Sequence, residues 1–305
     1  SPPPMSKIYT PSPEKCLVCG SPGLLEEFRC TDHFVTGESF PLFRCKTCGF
    51  RVTASAPDEG EMERYYQSEE YISHSDTSKG LVSRAYHLVR KYMVLRKASV
   101  VRKSAGIRRG SLLDIGAGTG FFLHHMLKEG WQVTGTEVNA TARKVAGDER
   151  ELHLLPAEEL FSLPTQSFDV VTLWHVLEHL HHPEKYWQEF TRLLRPRGTL
   201  IVALPNPGSW DADHYQEHWA AWDTPRHLWH FSPSNLEMYA NRNGFGLKSI
   251  FRMPFDSFYV SILSEKYKKS SYPLLRGVWY GKISWWNALA DKKRCSSLIY
   301  IMKHL

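Results

Sequence analysis

Between Ser111 and Met253, short apolar runs alternate with amphipathic stretches. Strand patterns fall at Ser111–Ile115, Gln132–Thr136, Leu152–Leu155, Phe168–Trp174, Thr199–Leu204 and Leu247–Met253. Between them, apolar positions three or four apart predict helices such as Phe121–Glu129, Glu184–Leu194 and Pro233–Asn243. Apolar strands alternating with helices imply a mostly parallel sheet covered on both faces. A last strand is expected at Ser297–Lys303, after an insertion over 254–295 rich in Tyr, Trp and Lys. An insertion between two final strands is well placed to cap a site.

Upstream the pattern changes. Leu81, Ala85, Leu88, Tyr92 and Leu95 keep helical spacing and mark a helical linker over residues 61–105. Residues 14–60 hold short extended runs, such as Phe40-Pro41-Leu42-Phe43-Arg44, punctuated by cysteines. Residues 1–13 are polar and proline-rich, and are expected to be a disordered, tag-like start. The remainder, 106–305, is expected to form one α/β domain. The length suits one large domain with a small appendage.

The six cysteines change the picture of the first segment. Cys16-Leu17-Val18-Cys19-Gly20 and Cys45-Lys46-Thr47-Cys48-Gly49 repeat one C-x-x-C-G spacing. Two thiolates three positions apart grip one metal, and the glycine after the second permits a tight knuckle turn. Four sulfurs make a closed tetrahedral set, so Cys16, Cys19, Cys45 and Cys48 are expected to hold a structural Zn2+ in a zinc ribbon. Cys30 and Cys295 lack partners at ligand spacing and read as small core residues. No export signal and no apolar run near the ~20 residues that span a bilayer are seen, so a cytoplasmic chain without a transmembrane segment is expected. The net charge of +6 is mild. Its basic runs, Arg102 to Arg109 and Lys266 to Lys269, read as solvated faces, and nucleic acid is not the expected partner.

The chemistry-bearing motif is Leu112-Leu113-Asp114-Ile115-Gly116-Ala117-Gly118-Thr119-Gly120, a buried strand turning sharply into a helix. Gly116 and Gly118 let the backbone bend and approach a ligand closely. The spacing of Gly116, Gly118 and Gly120 is not the G-x-G-x-x-G of dinucleotide binders. Glu137 ends the next strand, 21 positions beyond Gly116, where an acid accepts hydrogen bonds from both hydroxyls of a ribose.

This block resembles motif I of class I S-adenosylmethionine-dependent methyltransferases, and Glu137 matches their ribose-binding acid. Pro156-Ala157-Glu158-Glu159-Leu160 is similar to the segment that flanks the adenine there. Ser167–Val171 with Trp174-His175-Val176-Leu177-Glu178-His179-Leu180 resembles the fourth-strand motif of the broad group that includes ubiquinone-type methyltransferases. Arg195-Pro196-Arg197-Gly198-Thr199-Leu200 resembles the turn into strand five. The resemblance implies a Rossmann-like sheet with its last strand antiparallel and S-adenosylmethionine as cofactor. It further implies that Asp114, Gly116, Gly118, Gly120, Glu137, Ala157, Glu158 and His175 line the cofactor, with His175 near the sulfonium. A zinc ribbon ahead of such a domain resembles the nucleotide-sugar C-methyltransferases, and Tyr65 to Tyr71 resembles their tyrosine-rich linker.

Eight of the fifteen histidines lie between His175 and His230. Methyl transfer is an in-line displacement that needs alignment and, where the nucleophile carries a proton, a base. A histidine suits that task. In the sugar C-methyltransferases a histidine shortly before an aromatic-Phe-Ser/Thr run acts at the substrate, and His227 matches it. Arg226, however, stands where that group tends to have an acid. His227 is therefore the first candidate base and His175 the second, acting on a small-molecule acceptor at oxygen or an activated carbon. The rival expectations are an RNA methyltransferase gripping RNA through its ribbon, and a non-catalytic cofactor-binding protein.

Overall fold

The computed structural model describes residues 8–9, 15–66 and 81–305. Of the positions expected to shape the linker, 67–71 and the side chains of Leu81 and Ala85 lie outside the described residues, as does most of 1–13.

The larger sheet is built from β6 (Ser111–Ile115), β7 (Gln132–Thr136), β8 (Phe168–Trp174), β9 (Leu194–Pro205), β11 (Phe245–Arg252) and β12 (Ser297–His304). Its order is β11-β12-β9-β8-β6-β7. The four strands from β9 to β7 run parallel, and β12 lies antiparallel to both β9 and β11. This is the expected Rossmann-like arrangement. The helices include α1 (Leu81–Ala105), α2 (Phe121–Lys128), α3 (Ala140–Arg150), α4 (Pro183–Leu193), the short α5 (Trp210–Tyr215) and α6 (Pro233–Arg242). Local chemistry sets their starts. Asn139 caps α3 by accepting from the Ala142 N–H at 3.0 Å, and proline opens α4 and α6, where its missing N–H costs nothing.

Two expectations need correction. The strand expected at Leu152–Leu155 shrinks to one parallel bridge between Leu155 and Thr136. The Leu152 N–H is already spent on the Ala146 carbonyl at the end of α3, and Pro156 has no N–H to continue the ladder. The apolar spacing of α1 marks a helix but not its buried side. Leu88 is 69% exposed and Tyr92 and Leu95 are also exposed, while Ala98 and Val101 face the core.

The insertion folds as a hairpin of α7 (Asp256–Tyr267) and α8 (Pro273–Ala290). Its helices touch backbone to backbone. A side chain at Gly277 would stand 2.4 Å from the Ile262 Cα, and one at Gly281 2.7 Å from the Phe258 Cα. Among the described residues no helix is long and apolar enough to cross a membrane.

A two-stranded pair joins β1 (Ile8–Tyr9) to β5 (Ala56–Pro57), and the cysteine module contributes β2 (Leu24–Thr31), β3 (Ser39–Cys45) and β4 (Arg51–Thr53) to an antiparallel sheet. A fourth strand, β10 (Trp229–His230), comes from the far end of the chain and pairs with β4. One hydrophobic cluster runs through both parts: Val18, Phe50 and Val52 pack with Trp229, Phe231 and Leu236. The two parts thus share one core.

A buried ion network pins the same junction. Arg226, with its side chain 1% exposed, donates to Asp32 Oδ1 at 3.0 Å and to Asp223 Oδ1 at 2.6 Å. It also donates to the Tyr65 carbonyl at 2.9 Å. Deleting the guanidinium would strand buried carboxylates, a loss typically of about 3–5 kcal/mol. Arg226→Ala is accordingly expected to lower the unfolding free energy by that amount in urea titrations. A loss under 1 kcal/mol would show the junction to be held by packing alone.

Candidate active site

The ends of β6, β7 and β8 converge on the glycine turn. The Gly116 and Ala117 N–H groups bond to the Thr136 carbonyl, drawing the turn over the tip of β7. Gly116, Gly118 and Gly120 all have positive φ, at 71°, 56° and 82°. Their surroundings differ. A Cβ at Gly116 would strike Val176 at 2.5 Å and one at Gly120 would strike Leu152 at 2.7 Å, but at Gly118 no atom lies within 4 Å. Gly116 and Gly120 thus serve packing, and Gly118 leaves an open approach to its backbone.

Glu137 sits beside that opening. Its carboxylate accepts from the Gly118 N–H at 2.8 Å and the Asn139 N–H at 2.9 Å. The bridge at Leu155 brings the turn carrying Ala157 and Glu158 alongside the same strand end. Asp114, on β6, is 2% exposed and accepts from Thr172 Oγ1 at 2.5 Å. Burial raises its carboxyl to about 7, against the opposing pull of Thr172 and of Lys97. Lys97, from α1, stands 4.7 Å over the Trp174 ring, and burial lowers the pKa of its ammonium.

Across the cleft, His175 follows β8 with φ at 59°, its N–H held by the Ala203 carbonyl at 3.0 Å. Its ring lies between two carboxylates, Nδ1 3.4 Å from Glu178 Oε1 and Nε2 3.5 Å from Asp256 Oδ2. Burial disfavours the charged ring, but Asp256 and Glu178 outweigh it and raise its pKa to about 9. His175 is thus an imidazolium at neutral pH. His227 comes from the loop after β9. Its Nδ1–H donates to the Ala221 carbonyl at 2.9 Å, which leaves the lone pair on Nε2, 3.8 Å from Asp223 Oδ2. The rings of His179 and His227 meet edge to face at 4.6 Å. Burial and the nearby His227 lower the His179 pKa to about 4.

The cysteine module supports this loop directly. Thr53 donates through Oγ1 to the His227 carbonyl at 2.7 Å, and the Leu228 N–H donates to the Glu178 carbonyl at 2.8 Å. The loop's tryptophans anchor it. Trp219 donates to buried Asp211 at 2.8 Å, Trp222 to the Gln216 carbonyl and Trp229 to the Leu180 carbonyl. The four sulfurs Cys16, Cys19, Cys45 and Cys48 lie together, with Cys16–Cys48 at 3.6 Å and Cys19–Cys45 at 3.7 Å. Zinc–sulfur bonds of about 2.3 Å in a tetrahedron put sulfurs roughly 3.8 Å apart, so the set is compatible with zinc.

The methyltransferase-domain family matches residues 89–250, more than half of the chain. The chain belongs to that family. This methyltransferase-domain chain is 34% identical over 102 residues to a ubiquinone biosynthesis O-methyltransferase of Maricaulis maris, covering 31% of the chain and 40% of that protein. It is 30% identical over 139 residues to the enzyme of the same name from Idiomarina loihiensis, covering 41% and 57%. The chain thus spans about half the length of these curated relatives. Among solved structures, magnesium protoporphyrin IX methyltransferase from Synechocystis PCC 6803, with bound SAH, superposes with a TM-score of 0.54. That likeness covers 81% of the chain and 100% of the other at 12% identity, and it shows the fold alone.

Sequence reasoning missed Lys97, Thr172, Glu178 and Asp256. Glu178 was visible as the acid three positions after His175. Lys97 was hidden in a helix read only for its apolar spacing, and Asp256 opens the insertion.

The Asp114 carboxyl makes a pH test. Its folded pKa of about 7 lies above the ordinary 3.8, so the unfolded chain loses this proton first. Stability supplied by the protonated form is complete near pH 4 and falls as pH rises to about 7. Asp114→Asn removes this loss. Urea titrations should find the variant more stable than the parent at pH 7.5, on the order of 2–4 kcal/mol, and the gap should close toward pH 4.5. A gap independent of pH would refute the buried acid.

Proposed function

We propose that the chain transfers the methyl group of S-adenosylmethionine to a small-molecule acceptor, at oxygen or an activated carbon. The observation that carries this reading is the open backbone at Gly118 beside Glu137. A ligand can lie against the turn there with its ribose hydroxyls at the carboxylate. The spacing seats no pyrophosphate, which suits an adenosyl amino acid. Asp114 and Lys97 then face the amino-acid end, one toward its ammonium and the other toward its carboxylate. Ala157 and Glu158 would flank the adenine. The ligand itself supplies an electrophilic methyl, and the protein aligns it, excludes water and handles the acceptor's proton.

The acceptor is activated at His227, whose Nε2 keeps its lone pair. His175 is the poorer base, since two carboxylates keep its ring protonated. Its positive charge instead offsets acids around the acceptor. The module's four cysteines would hold a structural zinc. A small acceptor fits the module better than RNA does, because its arginines are already answered by acids. Arg51 and Arg44 pair with Glu27, and Arg29 pairs with Glu26.

Two expected outcomes follow. Glu137→Ala and Asp114→Ala should each weaken binding of S-adenosylhomocysteine by at least tenfold in calorimetry, about 1.4 kcal/mol. Unchanged affinity in both variants would sink the cofactor assignment. With an acceptor found by screening, His227→Ala should lower kcat by about 10²–10⁴-fold while cofactor affinity holds. An unchanged kcat would move the activation elsewhere, and tight cofactor binding without turnover of any acceptor would favour a non-catalytic protein.

A further inference from the structure

Glu178 is 1% exposed, yet neither carboxylate oxygen makes a hydrogen bond among the described residues. Its nearest charged neighbour, His175 Nδ1, stands 3.4 Å away and is shared with Asp256. Beyond that ion pair its oxygens keep acceptor capacity, and a buried carboxylate is stabilised by a further cation.

The two histidines beside it are arranged to supply lone pairs. The His179 Nδ1–H donates to the Arg226 carbonyl at 3.0 Å, and the His227 Nδ1–H donates to the Ala221 carbonyl at 2.9 Å. A carbonyl can only accept, so each neutral ring carries its proton on Nδ1 and its lone pair on Nε2. The Tyr66 hydroxyl, 3.2 Å from His179 Nδ1, is then an acceptor there as well. A backbone carbonyl on one ring nitrogen is the usual orienting contact behind a metal-bound histidine. One donor atom from each of Glu178, His179 and His227 lies within 4.8 Å of the others. Around an ion bound at about 2.0–2.2 Å, donor atoms stand roughly 3–4 Å apart, so closure needs only small side-chain rotations. Local charge also favours a cation: Arg226 is shared by Asp32 and Asp223, as His175 is by Glu178 and Asp256.

We infer that Glu178, His179 and His227 form a second metal site, for a divalent transition ion of the zinc class. Two imidazoles and one carboxylate suit zinc better than magnesium or calcium. Three protein ligands leave a coordination position for water or an acceptor oxygen, unlike the closed cysteine site. The inference deepens the role of His227 in the proposed methyl transfer. In the loaded protein its Nε2 binds the ion, and the acceptor is activated by that ion rather than by a free histidine. Metal binding itself is measured without cofactor or acceptor, so it fails or succeeds independently of that reading.

The test is equilibrium dialysis of the full chain against micromolar cobalt, with bound metal counted by elemental analysis. Thiolate charge-transfer absorption reports the cysteine site and the integrity of the fold. The expected result is two ions per chain, falling to one in Glu178→Gln and in His227→Ala with the thiolate bands unchanged. His179→Ala provides a third variant should either of these lose its thiolate bands. One ion in the parent chain would overturn the site. So would a second ion that persists in folded variants, which would place it elsewhere.

Discussion

The buried guanidinium of Arg226 fixes the loop that carries His227. That loop leaves β9 and runs through short turns before reaching β10, so its own backbone pairing cannot hold its shape. Arg226 ties it to Asp32 of the cysteine module, to Asp223 three residues back and to the Tyr65 carbonyl. Three separate segments are locked by one planar, forked cation, which a lysine could not copy. An apolar replacement of such a triad can be as stable or more so. Its worth here is therefore geometric: it sets where the neighbouring His227 stands relative to Glu178.

Three costly groups meet at one end of the sheet. His175 has a left-handed backbone, Asp114 holds its proton to about pH 7 because it is buried, and Glu178 is buried without hydrogen bonds. Each opposes folding when considered alone. Away from this end Leu113, Val171 and Leu200 are fully buried, and the ladders of β6 with β7 and β8 are regular. Groups that oppose folding and lie beside an open glycine turn are candidates for function rather than stability.

What was legible in the sequence was short-range. The glycine turn, the C-x-x-C-G pairs and the strand–helix alternation each follow from spacing within a few residues, because chain geometry sets them. The third strand misled because Leu152 and Leu154 are indeed buried, while the Leu152 N–H is spent on a helix end and Pro156 has none to extend the ladder beyond Leu155. The contacts that assemble the acceptor side were not legible. Arg226 and Asp32 are 194 positions apart, and His179 meets the Arg226 carbonyl across 47. Periodicity reports which face is apolar, not which distant acid a buried arginine will find. Arg226 stood out in the sequence only as a departure from an acid, and the structure supplies the reason: the acids are Asp32 and Asp223.

The junction also bears on what a structural metal can do here. Both knuckles are bonded to α6, where Asn235 donates to the Cys48 carbonyl at 2.9 Å and Arg242 donates to the Val18 carbonyl. The following core is common property, with Phe50 stacked on Trp229 and packed against Phe231. A module joined in this way cannot unfold alone without exposing the methyltransferase domain's aromatic residues to water. Metal affinity of the four thiols would then contribute to the folding of the whole acceptor side, since binding to a site absent from the unfolded chain is folding free energy. A metal at the four thiols would thereby also steady β4, whose Thr53 hydroxyl holds the His227 carbonyl. The cysteine cluster, far from the glycine turn in sequence, is in this way joined to the loop that carries His227.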